Sequence, residues 1–161
     1  NHKSIQVIED FIDRYFEVFN VLYDYLEELK DFAREHGYVE SLFGRRRYNP
    51  DIDSGVQQVR AAAERMAVNM PMQGTAADLM KMAMIKVHEN IKTLKYENIV
   101  RMLLQVHDEL VFEVKDDLVE QVAKEVKETM ENVYQLKVPV EVEVKVGKNW
   151  GELSPLPLPL R

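Results

Sequence analysis

The sequence predicts an α+β fold with helices packed on one face of an antiparallel sheet. Three observations carry this. Apolar residues recur at helical spacing over 4–36, 54–69, 72–94 and 117–135. Two apolar runs, 99–106 and 110–114, flank the polar triplet His107-Asp108-Glu109. Val138, Val140, Val142, Val144 and Val146 alternate with Glu141, Glu143 and Lys145.

Taken in order, Ile5, Ile8, Ile12, Tyr15, Phe16 and Phe19, then Leu22, Leu26, Leu29 and Ala33, predict one long helix or two in series. Gly37 supplies the stop, since glycine accepts the left-handed conformation that ends helices. Residues 38–48 predict a short hairpin turning at Phe43-Gly44, and Asn49-Pro50-Asp51 with Ser54-Gly55 predicts a loop. Ser54 and Gln57 have the spacing of a capping box, which opens a helix to about Asn69. Pro71 lacks an N–H and clashes with the preceding turn inside a helix. It therefore predicts the first turn of a new helix over 72–94. The apolar pair of runs predicts a hairpin, 117–135 an amphipathic helix, and 138–146 a half-buried strand. The Pro/Leu alternation from Ser154 to Arg161 predicts an extended, unpaired tail.

The bulk properties exclude several classes. With 46% hydrophobic and 30% charged residues, the chain suits a globular domain rather than a disordered one. No apolar run reaches the roughly 18 residues of a membrane span. No cysteine is present, so disulfides and thiolate metal sites are excluded and a cytoplasmic setting is expected. The absence of an initiator methionine points to a cut fragment. Abundant Glu, Lys and Val without Cys points to a thermophile. A net charge of −7 argues against phosphate binding by the whole surface, but Arg45, Arg46 and Arg47 sit together, with Arg60 and Arg65 beyond. No Walker loop or Gly-x-Ser-x-Gly elbow occurs, and His88-Glu89 lacks the second histidine of a zincin site.

Three segments can carry chemistry. His107-Asp108-Glu109 places acid on a hairpin tip, where carboxylates suit a hard cation such as Mg²⁺; polar residues also cap hairpins with no further role. Pro71 to Asp78 sets Gln73 beside Gly74, Thr75, Ala76 and Ala77, small residues that permit close backbone approach. Arg65 and Asn69 share a helix face. Arg45-Arg46-Arg47 suits phosphate contact, or else a solvated turn or pairing with the acidic helices.

Tyr38-Val39-Glu40-Ser41-Leu42-Phe43-Gly44-Arg45-Arg46-Arg47, Glu64 to Asp78, and Leu103-Leu104-Gln105-Val106-His107-Asp108-Glu109-Leu110 together resemble the bacterial DNA polymerase I family, family A. The likeness runs from about residue 5 to 153, in that family's order and spacing. It implies a fragment of a right-hand polymerase: fingers helices over 1–37, palm over 38–153 with an antiparallel palm sheet, and the tail over 154–161. The implied reaction is template-directed addition of deoxynucleoside triphosphates to a primer 3′ end in replication and repair, with two Mg²⁺ ions. By resemblance Asp108 is the metal ligand, with Glu109 beside it shaping the catalytic site. His107 lies near the primer-terminal sugar-phosphate. Gln73, Asn69 and Arg65 meet primer–template DNA, and Arg45, Arg46 and Arg47 the duplex backbone. A donor such as Gln73 suits the minor groove, where every Watson–Crick pair shows acceptors at similar places.

The departures limit what the fragment does. The family's other metal-binding aspartate, its nucleotide-binding motif B helix, and its thumb and nuclease domains belong to segments absent here. The fragment is therefore expected to be inactive alone and to work with polymerase segments upstream of Asn1. The junction near Asn20 lacks the proline common in the family, which leaves a continuous first helix open. The resemblance implies a bacterial, nucleoid-associated setting and no membrane partner. Two other readings stand beside it: a non-catalytic primer–template-binding module, and a structural domain whose acidic turn is incidental.

Overall fold

In a computed structural model, residues 2–96 and 98–156 are described, with side chains from Gln6 onward. The chain divides into two units, Asn1–Thr75 and Ala76–Arg161.

The first unit opens with α1 (His2–Val18) and α2 (Asn20–His36). They are two helices in series, not one continuous helix. Phe19 leaves helical geometry at φ −108, ψ 51. The N–H groups of Leu22 and Tyr23 both turn to the Phe19 carbonyl. The Asn20 side chain accepts from the Val21 N–H at 2.8 Å, an alternative to the helix ladder that needs no proline. The apolar stripe of α1 stays exposed, with Phe11 at 70%. Helix α2 stops as expected at Gly37, whose φ of 74 is left-handed and whose N–H reaches the Ala33 carbonyl.

The expected first hairpin is present as β1 (Tyr38–Glu40) and β2 (Arg46–Tyr48), registered Tyr38 to Tyr48. Ala33, Val39, Ile52, Ala63, Ala67 and Met70 form this unit's core, with Met66 against it. Buried Asn49 stitches the following loop down. Its N–H donates to the Gly37 carbonyl and its Nδ2 to the Ala63 carbonyl, each at 2.9 Å.

One helix, α3 (Gln57–Thr93), replaces the two expected over 54–69 and 72–94, and Pro71 lies inside it. The capping box does not form: Ser54 Oγ accepts from the Val56 N–H, and the helix starts at Gln57. Helix propensity lost at Pro71 is outweighed by packing. Ala63, Ala67, Met70 and Gly74 are all buried at intervals of three and four, so only an unbroken helix keeps them on one face.

In the second unit α3 ends at Thr93, and just beyond it Lys95 takes the left-handed φ of 57 while the Tyr96 N–H reaches back to the Ile91 carbonyl. The expected second hairpin follows as β3 (Val100–Val106) and β4 (Glu109–Val114). Helix α4 (Val119–Glu131) comes after a single 3-10 turn at Asp116–Leu118. Val87 and Ile91 of α3, Val100 of β3 and Val122 of α4 make the core, joined by Met102, Phe112, Val114, Leu118, Val126 and Met130. Helices thus cover one face of the β3–β4 ribbon, as the sequence predicts.

Four expectations fail here. The helix over 117–135 ends at Glu131, because Asn132 caps it: its N–H and its Nδ2 both donate to the Glu128 carbonyl. The strand over 138–146 shrinks to β5 (Lys145–Val146). The Val142 N–H is satisfied instead by the Glu131 carboxylate at 3.0 Å. The single antiparallel sheet is, among the described residues, three separate two-stranded ribbons. The third pairs β5 with β6 (Ser154–Pro155), so the start of the tail is not unpaired. Pro155 donates nothing, but the Leu156 N–H bonds the Val144 carbonyl at 2.8 Å. Residues 157–161 lie outside the described residues.

Candidate nucleic-acid and metal site

In the second unit the acidic triplet falls at the tip of β3–β4. The turn itself has two residues, His107 and Asp108; Glu109 opens β4 opposite Val106. A two-residue hairpin requires a left-handed residue to match the strand twist. His107 fills that position at φ 53, a conformation glycine usually provides. Its carbonyl accepts a hydrogen bond from Gln105 Nε2 at 2.5 Å. All three triplet side chains are exposed. Among the described residues the Asp108 and Glu109 carboxylates have no hydrogen-bond or ion-pair partner, so both are open to an incoming cation.

Mg²⁺ is the metal that the resemblance implies for this turn. Two exposed carboxylates suit a hard cation that keeps several waters. No group of three His, Asp or Glu residues gathers among the described residues. The chain therefore fits part of a magnesium shell and not a complete one.

In the first unit Arg65, Asn69 and Gln73 recur every four residues along α3. All are exposed, and none has a protein partner among the described residues. Because the helix runs through Pro71, they form one polar stripe rather than residues of two helices. The opposite side explains the small residues beside Gln73. Gly74 is buried, and a Cβ there would lie 2.7 Å from Met70 Cε and 3.1 Å from Ser41 Cβ. Thr75 Oγ1 accepts the Leu42 N–H at 2.9 Å. That face of α3 thus grips the turn of the β1–β2 hairpin, which carries the arginines.

The arginine triplet is less free than its sequence suggests. Arg46 Nε donates to Glu40 at 2.6 Å, and its guanidinium lies 4.4 Å from the Tyr38 ring centre. The Glu40 hydrogen bond, with the nearby Tyr38, holds Arg46 above the ordinary arginine range. Arg47 donates to Met66 Sδ. Arg45 is exposed, and its N–H is held by Ser41 Oγ at 3.2 Å.

Sequence reasoning missed two features. Arg34 binds Asp31 and Glu64, each at 2.7 Å; burial is the largest single influence and lowers its pKa, but the hydrogen bonds and charges of the two carboxylates together raise it above the ordinary value. That network ties α2 to α3. Gln105 was read only as one letter of a motif. Its position two residues before a turn was the available signal.

Comparison with known proteins gives the family. The model of "DNA polymerase family A" matches residues 3–152. The thermostable DNA polymerase I of Thermus aquaticus is 54% identical over 140 residues, 87% of this chain and 16% of that protein. The DNA polymerase I of Deinococcus radiodurans is 51% identical over 140 residues, 87% of this chain and 14% of that protein. A solved structure, the POL domain of Pol1 from M. smegmatis in complex with DNA primer-template and dNTP, superposes with a TM-score of 0.73 at 47% identity, covering 81% of this chain and 23% of that one. The chain thus spans about a sixth of the length of such relatives. Matched over nearly its whole length, and through every motif described above, the chain belongs to DNA polymerase family A.

Proposed function

We propose that this chain is the part of a DNA-directed DNA polymerase that supplies one metal-binding acid and a primer–template contact stripe. The observation that carries the reading is the family match over residues 3–152, with Asp108 exposed at the tip of a tight hairpin. In this reading residues 1–37 are fingers helices and 38–153 palm. The substrates are deoxynucleoside triphosphates and a primer 3′ end.

Asp108 offers its carboxylate to Mg²⁺, and a second aspartate comes from a polymerase segment outside this chain. A Mg²⁺ ion held there would supply Lewis-acid stabilisation of the charge that builds up during phosphoryl transfer. Glu109, next in the chain, keeps the site acidic and solvated. His107 faces the primer-terminal sugar-phosphate. Gln73 donates to minor-groove acceptors, checking pair geometry without reading sequence. Asn69 and Arg65 continue that contact along α3. Arg45, Arg46 and Arg47 are the candidates for duplex phosphates, with Arg46 also paired to Glu40. A cytoplasmic, nucleoid-associated setting goes with this reading; no described helix is long and apolar enough to cross a membrane.

The test is primer extension with the purified chain and with a complete polymerase containing it. The complete enzyme should extend a primer in Mg²⁺ and the chain alone should not. Robust templated synthesis by the chain alone would refute the assignment of a missing partner acid. A second reading, a primer–template-binding module without synthesis, is favoured by the unpartnered stripe on α3. It predicts steeply salt-dependent DNA binding and no extension even by the complete protein.

A further inference from the structure

We propose that Gln105 is a positioning residue: its side-chain amide locks the His107–Asp108 peptide and so aims the Asp108 carboxylate. Two independent observations support this. His107 holds φ 53, which residues with a Cβ rarely adopt, at a turn position that glycine normally occupies. The carbonyl of that same residue is held by Gln105 Nε2 at 2.5 Å.

The geometry assigns direction to the effect. The His107 carbonyl belongs to the peptide plane that joins His107 to Asp108. Fixing it fixes ψ of His107 and φ of Asp108, and these two angles set where the Asp108 Cα–Cβ bond points. Gln105 lies on β3 opposite Leu110, exposed and free to extend into water. It folds back along its own strand instead. Among the described residues its amide is the one side-chain donor to the turn. Pairing is regular from Leu104–Val111 to Val106–Glu109, so the strands set where the turn begins and the Gln105 amide holds the peptide within it.

The catalytic consequence rests on the polymerase reading, while the conformational one does not, so the experiment has two arms. In the first, the chain is labelled with ¹⁵N and compared with Gln105→Met, which keeps length but removes the donor. The Asp108 amide order parameter should fall from the rigid range to below about 0.6, with β3 and β4 amides unchanged. His107→Gly alone should keep Asp108 ordered, because the Gln105 amide still holds the carbonyl and glycine accepts the left-handed angle. Unchanged order at Asp108 in Gln105→Met, or lost order in His107→Gly, overturns the proposal. In the second arm, Gln105→Met in a complete polymerase should lower kcat roughly tenfold to a hundredfold, as a displaced catalytic group does. Its primer–template Kd should not change. A raised Kd with unchanged kcat means that Gln105 touches DNA directly and overturns the positioning role. If the first arm succeeds and the wild-type polymerase shows no synthesis, the polymerase reading fails and the lock stands.

Discussion

Replacing Gly74 with alanine tests the grip of α3 on the β1–β2 turn. In an isolated helix Gly→Ala is stabilising by about 0.8–1.0 kcal/mol. Here the added methyl would meet Met70 Cε at 2.7 Å, Met70 Sδ at 3.1 Å and Ser41 Cβ at 3.1 Å. The end of Met70 can swing aside, although it is 7% exposed and has little room. Ser41 Cβ is one bond from a backbone fixed by the β1–β2 turn and cannot move alone. Overpacking of this kind costs about 1–3 kcal/mol. The clash exceeds the propensity gain, so Gly74→Ala should lose about 1 kcal/mol, or about 2–4 °C in Tm for a chain of this size. Gly74→Val should lose more, since a branched side chain meets both neighbours. The assay is urea unfolding followed by circular dichroism, with exposed Gln73→Ala as a control expected to stay within about 0.5 kcal/mol. If Gly74→Ala instead raises stability by the full helix-propensity value, the close packing against Ser41 is wrong.

Pro71→Ala restores an N–H within reach of the Ala67 carbonyl and should stabilise the chain by about 1–2 kcal/mol, below the roughly 3 kcal/mol of an unrelieved helix proline because the unfolded chain also gains freedom; a lower urea midpoint would show that Pro71 is structurally required. Asn49→Ala removes the donor to the Ala63 carbonyl in a buried position and should cost about 1–3 kcal/mol by urea unfolding, and an unchanged midpoint would contradict that bond. In a complete polymerase, Arg65→Ala, Asn69→Ala and Gln73→Ala should each weaken primer–template binding by titration, with Arg65→Ala also lowering the salt slope by about one unit. An unaltered slope would remove Arg65 from phosphate contact.

Periodicity revealed most of the helices because burial of one face is a local pattern. Gly37 was legible for the same reason: its role depends on its own φ. The two hairpins were legible because short apolar runs flank residues suited to turns. Pro71 misled because its cost is local, while what keeps α3 continuous there is a buried row of Ala63, Ala67, Met70 and Gly74 that meets the β1–β2 turn and its loop. The alternating valines from 138 to 146 specify two faces and not a partner, and Val142 finds the Glu131 carboxylate rather than a strand. The candidate site residues were singled out through resemblance. Their partners were not, since Arg46 with Glu40 and Gln105 with the His107 carbonyl depend on where side chains turn.

The central claim is that Asp108 is a metal-binding acid of a DNA polymerase. The most direct test is Asp108→Asn in a complete polymerase containing this chain, with primer extension and primer–template Kd measured on the same sample. Removing the charge while keeping the shape should abolish Mg²⁺-dependent extension and leave Kd within about twofold, since the stripe Arg65-Asn69-Gln73 is untouched. Normal turnover by that variant would contradict the account.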